Sequence, residues 1–230
     1  MKNKERMCFG IIIGTRAYFN SEIGQRCSQT AVENTCREGY DYVILPEDAT
    51  PTGSSSIETR EDGLKCAELF RQNRDRIDGI IVSLPNFGFE IGIINAISVA
   101  DLNVPILVQA CDDENDKVDL DSRRDAFCGK ISVCNNLYQY GIPFTDTTLH
   151  TYSIYSELLA KDINKFAGIC RVVNGLRHAR IGLSVPDQPV FRRYVPVKNC
   201  CRRVVLQSFQ SIFLKYSVLP VRLRIQMWNC

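Results

Sequence analysis

The sequence of 230 residues has no apolar run near the roughly 20 residues that a membrane-spanning helix requires. The amino terminus (1–6) precedes only a short apolar run and has no small-residue cleavage motif, so no signal peptide is predicted. Hydrophobic residues make up 45% of the chain and charged residues 23%, as in ordinary globular proteins. We therefore expect a cytoplasmic protein without a membrane partner, holding one large domain or one domain and part of another.

The chain also lacks any C-x-x-C pair, although it contains 11 cysteines. The cysteines are scattered and odd in number, and several fall within helical patterns. A disulfide framework or a structural zinc site would require paired or regularly spaced cysteines. Reduced and mostly buried thiols in a cytosolic protein are therefore the better prediction.

Motifs for nucleotides and metals are absent as well. Neither G-x-G-x-x-G nor G-x-x-x-x-G-K-[ST] occurs, which argues against dinucleotide and nucleoside-triphosphate binding. His150 and His178 are isolated, without a partner at metal-ligand spacing. The acidic run at 112–121 lacks the glycine and terminal glutamate of a calcium loop, so a solvated loop is predicted. No catalytic residue, metal ligand or cofactor is assigned to this chain.

What the sequence does contain is a regular alternation of strand and helix patterns. Strands are predicted at 8–15, 42–45, 79–82, 104–108 and 142–144, and helices at about 21–37, 59–75, 89–102, 122–140 and 152–176. The stretch 47–56 is predicted to be a loop, and Thr59 to cap the second helix. Such alternation favours right-handed crossovers and a parallel sheet with helices on both faces. The predicted fold for 1–176 is a three-layer, doubly wound α/β domain of the flavodoxin or Rossmann type, with about five strands. Residues 177–182 are predicted to start a second α/β domain.

Two features follow predicted strands, at the edge where open α/β sheets bind ligands. Arg16 comes just after the first strand, where its guanidinium is placed to donate forked hydrogen bonds to ligand oxygens. A surface ion pair is the alternative for this residue. Asn86-Phe-Gly-Phe-Glu90 follows the third strand and offers aromatic faces and a carboxylate to a sugar. Packing of Phe87 and Phe89 into the core is the alternative there.

These residues, together with the apolar helix after Glu90 and the motif Arg123-Arg-Asp-Ala-Phe-Cys-Gly129, resemble the L-fucose/L-arabinose isomerase family, and in particular its fucose-isomerase-like branch. The resemblance covers 1–182. It implies a metal-dependent aldose–ketose isomerase, with Mn²⁺ as the expected metal and a small-molecule sugar as the substrate. It also implies a homo-oligomer in which the N-terminal domain of one subunit lines the active site of a neighbour.

By this resemblance the substrate-binding candidates are Arg16, Asn86, Phe87, Glu90 and Arg124. Fucose isomerases of the family carry a tryptophan in the turn where Pro85 or Asn86 stands here, so the sugar is left open. The catalytic carboxylates and metal ligands of the family lie in later domains, without a counterpart in this chain. The chain is therefore predicted to be an N-terminal fragment that lacks catalysis. The alternative is a free-standing sugar-binding α/β module.

The stretch 183–230 differs in character from the rest of the chain. It holds eight Lys and Arg against one acid, Asp187, and has no Gly, Ala or Glu. A basic nucleic-acid arm is one interpretation, but a reading-frame slip is preferred, and no nucleic-acid partner is predicted. Back-translation of this stretch, read from the third base of each codon, permits an orderly sequence with a helix-like segment (SEKLLQAGG) and a strand (ITVVPV). One G restored after the Gly182 codon would join that sequence to the chain.

Overall fold

The computed structural model describes residues 6–16, 21–113, 119, 123–153, 155–177, 180–183 and 207–210. For 21–25, 28, 180–183 and 207–210 it describes the backbone alone. The chain divides into two compact units, Met1–Asn174 and Gly175–Cys230. No helix within the described ranges has both the length and the apolar character needed to cross a bilayer.

The first unit is built on a parallel sheet of six strands. The strands are β1 Cys8–Gly14, β2 Asp41–Ile44, β3 Ser56–Ile57, β4 Ile77–Leu84, β5 Ile106–Ala110 and β6 Thr145–Asp146. Their order is β2-β1-β4-β5-β6, and β3 pairs with the last two residues of β1. With β3 left aside, this is the 2-1-3-4-5 order of flavodoxin-like sheets. The prediction of a doubly wound parallel α/β fold is confirmed.

Helices cover both faces of the sheet, because alternate residues of each strand point to opposite faces. The helices are α1 Ser21–Arg37, α2 Arg60–Gln72, α3 Glu90–Ala100, α4 Ala126–Gln139 and α5 Glu157–Arg177, and a short 3₁₀ turn spans Glu47–Ala49. On one face Ile80, Val82 and Leu84 of β4 pack with apolar residues of α2, α3 and α4. On the other face Ile81 packs with α5, while Ile11 and Ile13 of β1 pack with α1.

The last predicted strand was misplaced. The sequence favoured 142–144, but the strand that pairs with β5 is Thr145–Asp146. Pro143 has no N–H to donate to a neighbouring strand, and Ile142 and Phe144 pack against the core from a non-strand segment. The stretch 47–56, predicted as a loop, ends in the short strand β3.

Two helices begin later than the hydrophobic pattern indicated. Helix α4 starts at Ala126 rather than 122, because Asp125 adopts a left-handed conformation (φ 51°) and the Asp113 carboxylate accepts the Ala126 N–H at 3.0 Å. Helix α5 starts at Glu157 rather than 152, because Tyr152 forms a parallel bridge with Cys111 at the end of β5.

The second unit contains a two-stranded parallel sheet of β7 Arg180–Leu183 and β8 Gln207–Gln210. Strand β7 thus begins within 177–182, the stretch predicted to start a second α/β domain. The remainder of the stretch 183–230 lies outside the described residues, and the proposed frame slip there stays a prediction.

Candidate functional site

The order of the strands creates a crevice at the carboxyl ends of β1 and β4. After β1 the chain turns to α1 on one face of the sheet, and after β4 it turns to α3 on the opposite face. The two connections therefore diverge between neighbouring strands, which is the position where doubly wound sheets bind ligands. Arg16 is the second residue after β1, and the turn 85–89 directly follows β4, the neighbouring strand.

Three of the predicted residues meet in this crevice. Arg16 Nη2 donates to Glu90 Oε2 at 2.7 Å, and the guanidinium carbon lies 4.5 Å from the centre of the Phe87 ring. The Arg16 side chain is 37% exposed and that of Glu90 24%. An ion pair with Glu90 and a cation–π contact with Phe87 thus hold the Arg16 guanidinium at the edge of the sheet, and part of its surface is still open to solvent. The ion pair expected as the alternative for Arg16 exists, and Glu90 is its partner.

The turn between β4 and α3 is fixed by its own side chains. Asn86 is fully buried, and its Oδ1 accepts the N–H of Gly88 at 3.0 Å. Gly88 has φ +76°, a conformation that favours glycine. A Cβ there would come within 2.8 Å of Leu84 Cδ2 and 3.2 Å of the Gly14 carbonyl oxygen. This geometry presents Phe87 to Arg16. Asn86 Nδ2 has no hydrogen-bond partner within the described part of the chain.

Helix α4 packs directly against the turn between β4 and α3. A Cβ on Gly129 would lie 1.9 Å from the Phe87 carbonyl oxygen and 2.7 Å from its Cα. The absence of a side chain at this position therefore allows the helix backbone to touch the turn backbone. Ahead of the helix, Arg123 Nε pairs with Asp125 Oδ2 at 3.2 Å.

Arg124, the fifth predicted residue, is positioned differently. It is partly buried, and its positive charge acts on two thiols, Cys27 on α1 and Cys111 after β5. The pKa of Cys27 is lowered mainly by a hydrogen bond with Cys111, and the charge of Arg124 adds to this.

A buried polar network beside Arg16 was not anticipated from the sequence. Thr15 Oγ1 hydrogen-bonds to Glu58 Oε1 at 2.9 Å and to Ser56 Oγ at 3.0 Å, and all three residues are buried. The Thr15 N–H also donates to the Ile57 carbonyl at 3.1 Å. The network anchors the backbone just before Arg16. No spacing rule marks it, because Ser56 lies in a stretch predicted as a loop, and Thr15 and Glu58 stand in no distinctive sequence pattern.

A divalent metal ion requires several ligand atoms that converge on one point. Among the described residues, no group of three or more His, Cys, Asp or Glu side chains converges to hold a metal ion. His150 instead lies against the Phe127 ring, with 5.2 Å between ring centres, and His178 falls outside the described residues. Asp113 of the acidic run serves α4, and most of 114–122 is likewise not described. The residues that the structure describes therefore do not fit a divalent metal site.

Comparison with known proteins identifies the family. A search of curated proteins found none that matches the chain. The family profile described as "Fucose/sulfoquinovose isomerase, N-terminal domain" matches residues 10–177, which include the whole six-stranded sheet except the first two residues of β1. The matched range also contains Arg16, Phe87 and Glu90. The chain therefore belongs to the fucose/sulfoquinovose isomerase family and carries its N-terminal domain.

Proposed function

We propose that this chain is the substrate-lining, N-terminal part of a metal-dependent aldose–ketose isomerase of carbohydrate metabolism. The observation that carries the proposal is the Arg16–Glu90–Phe87 group at the carboxyl edge of β1 and β4, within a domain of this family. It combines a donor, an acceptor and an aromatic face in one partly exposed position.

Sugar recognition needs these three elements together. A sugar ring has vicinal hydroxyls that both donate and accept hydrogen bonds, and an apolar C–H face. Arg16 donates one hydrogen bond from Nη2 to Glu90 Oε2, and a guanidinium has five N–H groups with which it can serve several acceptors at once. The Glu90 carboxylate accepts from hydroxyls, and Phe87 offers a ring edge or face to the C–H groups.

In this proposal the chemistry takes place outside the chain. The resemblance of the sequence to fucose isomerases implies that the catalytic carboxylates and metal ligands lie in later domains. It also implies that the edge at Arg16 lines the active site of a neighbouring subunit in a homo-oligomer. This chain would therefore bind and orient the sugar, and by itself would not isomerise it. We expect the family's metal, Mn²⁺, to be held by those later domains.

A free-standing sugar-binding module is the second candidate. It is favoured by the fact that the donor, the acceptor and the aromatic ring come from one chain and already touch each other. Calorimetry of the 230-residue protein with L-fucose and L-arabinose distinguishes the two functions. Measurable binding by the chain alone supports the module, whereas binding only in the presence of the catalytic domains supports the subunit-lining role.

The test of the proposed role is a domain exchange in an active isomerase of the family, whose N-terminal domain is replaced by residues 1–177. In that chimera, Arg16→Ala should lower kcat/KM by about tenfold to a hundredfold, because one charge-assisted hydrogen bond to the substrate is lost. Arg71→Ala is the matched control, since it removes an exposed arginine paired with Glu68 on α2. Equal effects of the two variants on kcat/KM would contradict the role given to Arg16.

The stretch after Gly182 is proposed to be read in a slipped frame, a hypothesis that rests on its composition. Sequencing the gene beyond the Gly182 codon checks it. One additional G followed by an open frame for a further α/β domain is expected, and an unaltered frame ending at Cys230 would contradict it.

A further inference from the structure

Two cysteines lie together in the layer between α1 and the sheet, outside the crevice described above. Cys27 on α1 and Cys111, the residue after β5, belong to one buried cluster with Ile11 and Ile13. Their exposed fractions are 1% and 2%. Both cysteines are free thiols in the structure.

A chain of polar contacts links these thiols across two strands. Cys27 Sγ lies 3.4 Å from Ser83 Oγ, and Ser83 Oγ donates to Gln109 Oε1 at 3.1 Å. Gln109 Nε2 in turn lies 3.9 Å from Cys111 Sγ. Ser83 and Gln109 are register partners in β4 and β5, so their side chains share one face of the sheet. Because buried polar groups are rare in an apolar layer unless they serve one another, these four side chains form a distinct unit.

The two thiols of this unit differ in their acidity. A hydrogen bond with Cys111 is the main cause that lowers the pKa of Cys27, and Ser83 and Arg124 lower it further against the effect of burial. The same hydrogen bond, together with burial, raises the pKa of Cys111. By contrast, burial alone raises the pKa of Cys66 to about 12. Of the two thiols, Cys27 is therefore the more acidic.

We propose that Cys27 and Cys111 form a peroxide-reactive dithiol that closes to a disulfide between α1 and the end of β5. Redox-active dithiols pair a more acidic thiol with a neighbouring resolving thiol, and the cluster and its polar contacts bring Cys27 and Cys111 together. The inference does not depend on the function proposed for the Arg16 edge.

The reaction takes place in two balanced steps. The Cys27 thiolate attacks one oxygen of hydrogen peroxide, the O–O bond breaks, and hydroxide leaves to take up a proton as water. The thiol of Cys111 then attacks the sulfur of the resulting sulfenic acid, the S–O bond breaks, and a second water leaves. In total the two thiols lose two electrons and two protons, and one peroxide is reduced to two waters.

Burial of the pair determines which oxidants can reach it. Hydrogen peroxide is small and neutral, whereas glutathione disulfide is bulky and charged. The expected pattern is therefore oxidation of Cys27 and Cys111 by hydrogen peroxide, and mixed disulfides with glutathione confined to exposed thiols such as Cys36 and Cys128.

The experiment uses the full 230-residue chain carrying Cys36→Ser, which prevents confusion with Cys27 in the same tryptic fragment. The reduced protein is treated with hydrogen peroxide, the remaining thiols are alkylated, and the digest is analysed by mass spectrometry. A Cys27–Cys111 cross-linked fragment is expected, reversible by dithiothreitol and absent from Cys27→Ser and Cys111→Ser. It should persist in the control Cys66→Ser, which alters an equally buried thiol outside the cluster.

A second measurement needs no variant at either position. Under native conditions a small methanethiosulfonate reagent should modify Cys27 faster than Cys66, because both are buried but only Cys27 has a lowered pKa. The proposal is overturned if peroxide oxidises Cys128 while Cys27 and Cys111 stay reduced, or if their cross-link forms only in urea. It is also overturned if Cys27 reacts no faster than Cys66.

Discussion

Substituting alanine for Gly129 tests the contact that holds the candidate turn in place. The added Cβ would lie 1.9 Å from the Phe87 carbonyl oxygen, and the atoms it meets are backbone and cannot rotate away. The turn or α4 must therefore shift. Overpacking of this kind costs about 1–3 kcal/mol of stability. Replacing a glycine by alanine within a helix stabilises the protein by about 0.5–1 kcal/mol, which offsets part of that cost. Because an approach of 1.9 Å to backbone atoms belongs at the upper end of that cost, we expect Gly129→Ala to lower the free energy of unfolding by about 1–2.5 kcal/mol.

Gly168→Ala in α5 is the matched control for this prediction. A Cβ there meets nothing within 4 Å, so only the higher helix propensity of alanine acts. This should stabilise the protein by about 0.5–1 kcal/mol. Urea unfolding followed by circular dichroism measures both variants, and their difference isolates the clash with Phe87. If Gly129→Ala is as stable as Gly168→Ala, the close approach of α4 to the turn does not exist as described.

Two further substitutions test the framework around the site. Asp162 accepts hydrogen bonds from the Thr148 N–H and hydroxyl, both at 2.7 Å, and from the Tyr152 hydroxyl at 2.9 Å. Asp162→Asn should cost about 1.5–3 kcal/mol in urea unfolding at neutral pH. Burial raises the pKa of Asp162, but these hydrogen bonds outweigh burial and lower the pKa below its usual value. The advantage of the wild type should therefore be full above the unfolded-state pKa of about 3.9 and shrink as the pH falls below it, and a constant difference down to acid pH would contradict this. Thr59→Ala removes the hydroxyl half of the capping box of α2 with Asp62 and should cost about 1 kcal/mol, whereas an unchanged urea midpoint would mean that the box does not stabilise the helix.

Much of the fold could be predicted because its elements have strong patterns. The buried strands β1, β4 and β5 are continuous apolar runs, and the capping role of Thr59 was expected. The elements that were misplaced depend on contacts between residues distant in sequence. The start of α4 is set by Asp113, and that of α5 by the pairing of Tyr152 with Cys111, which no local period indicates.

Some features of the candidate site could likewise be predicted from the sequence, and others depend on tertiary contacts. Arg16 and Glu90 could be proposed because each follows a strong strand pattern at the edge where ligands bind, and the 2-1-3-4-5 order brings those two strands together. Their mutual ion pair could not be predicted, since it depends on side-chain conformations across 74 residues of sequence separation. The close contact of Gly129 with Phe87 and the buried role of Glu58 were not predicted, because a glycine on a helix and an acid near a loop have no distinctive spacing.

We propose that this chain lines the site of a sugar isomerase and does not carry its chemistry. The decisive test is an isomerase assay of the purified 230-residue protein with added Mn²⁺ and L-fucose or L-arabinose. An active enzyme of the family serves as the positive control for the assay. We predict that no ketose forms above the rate without protein. Turnover by the chain as written would contradict both the assignment of catalysis to later domains and the proposed frame slip after Gly182.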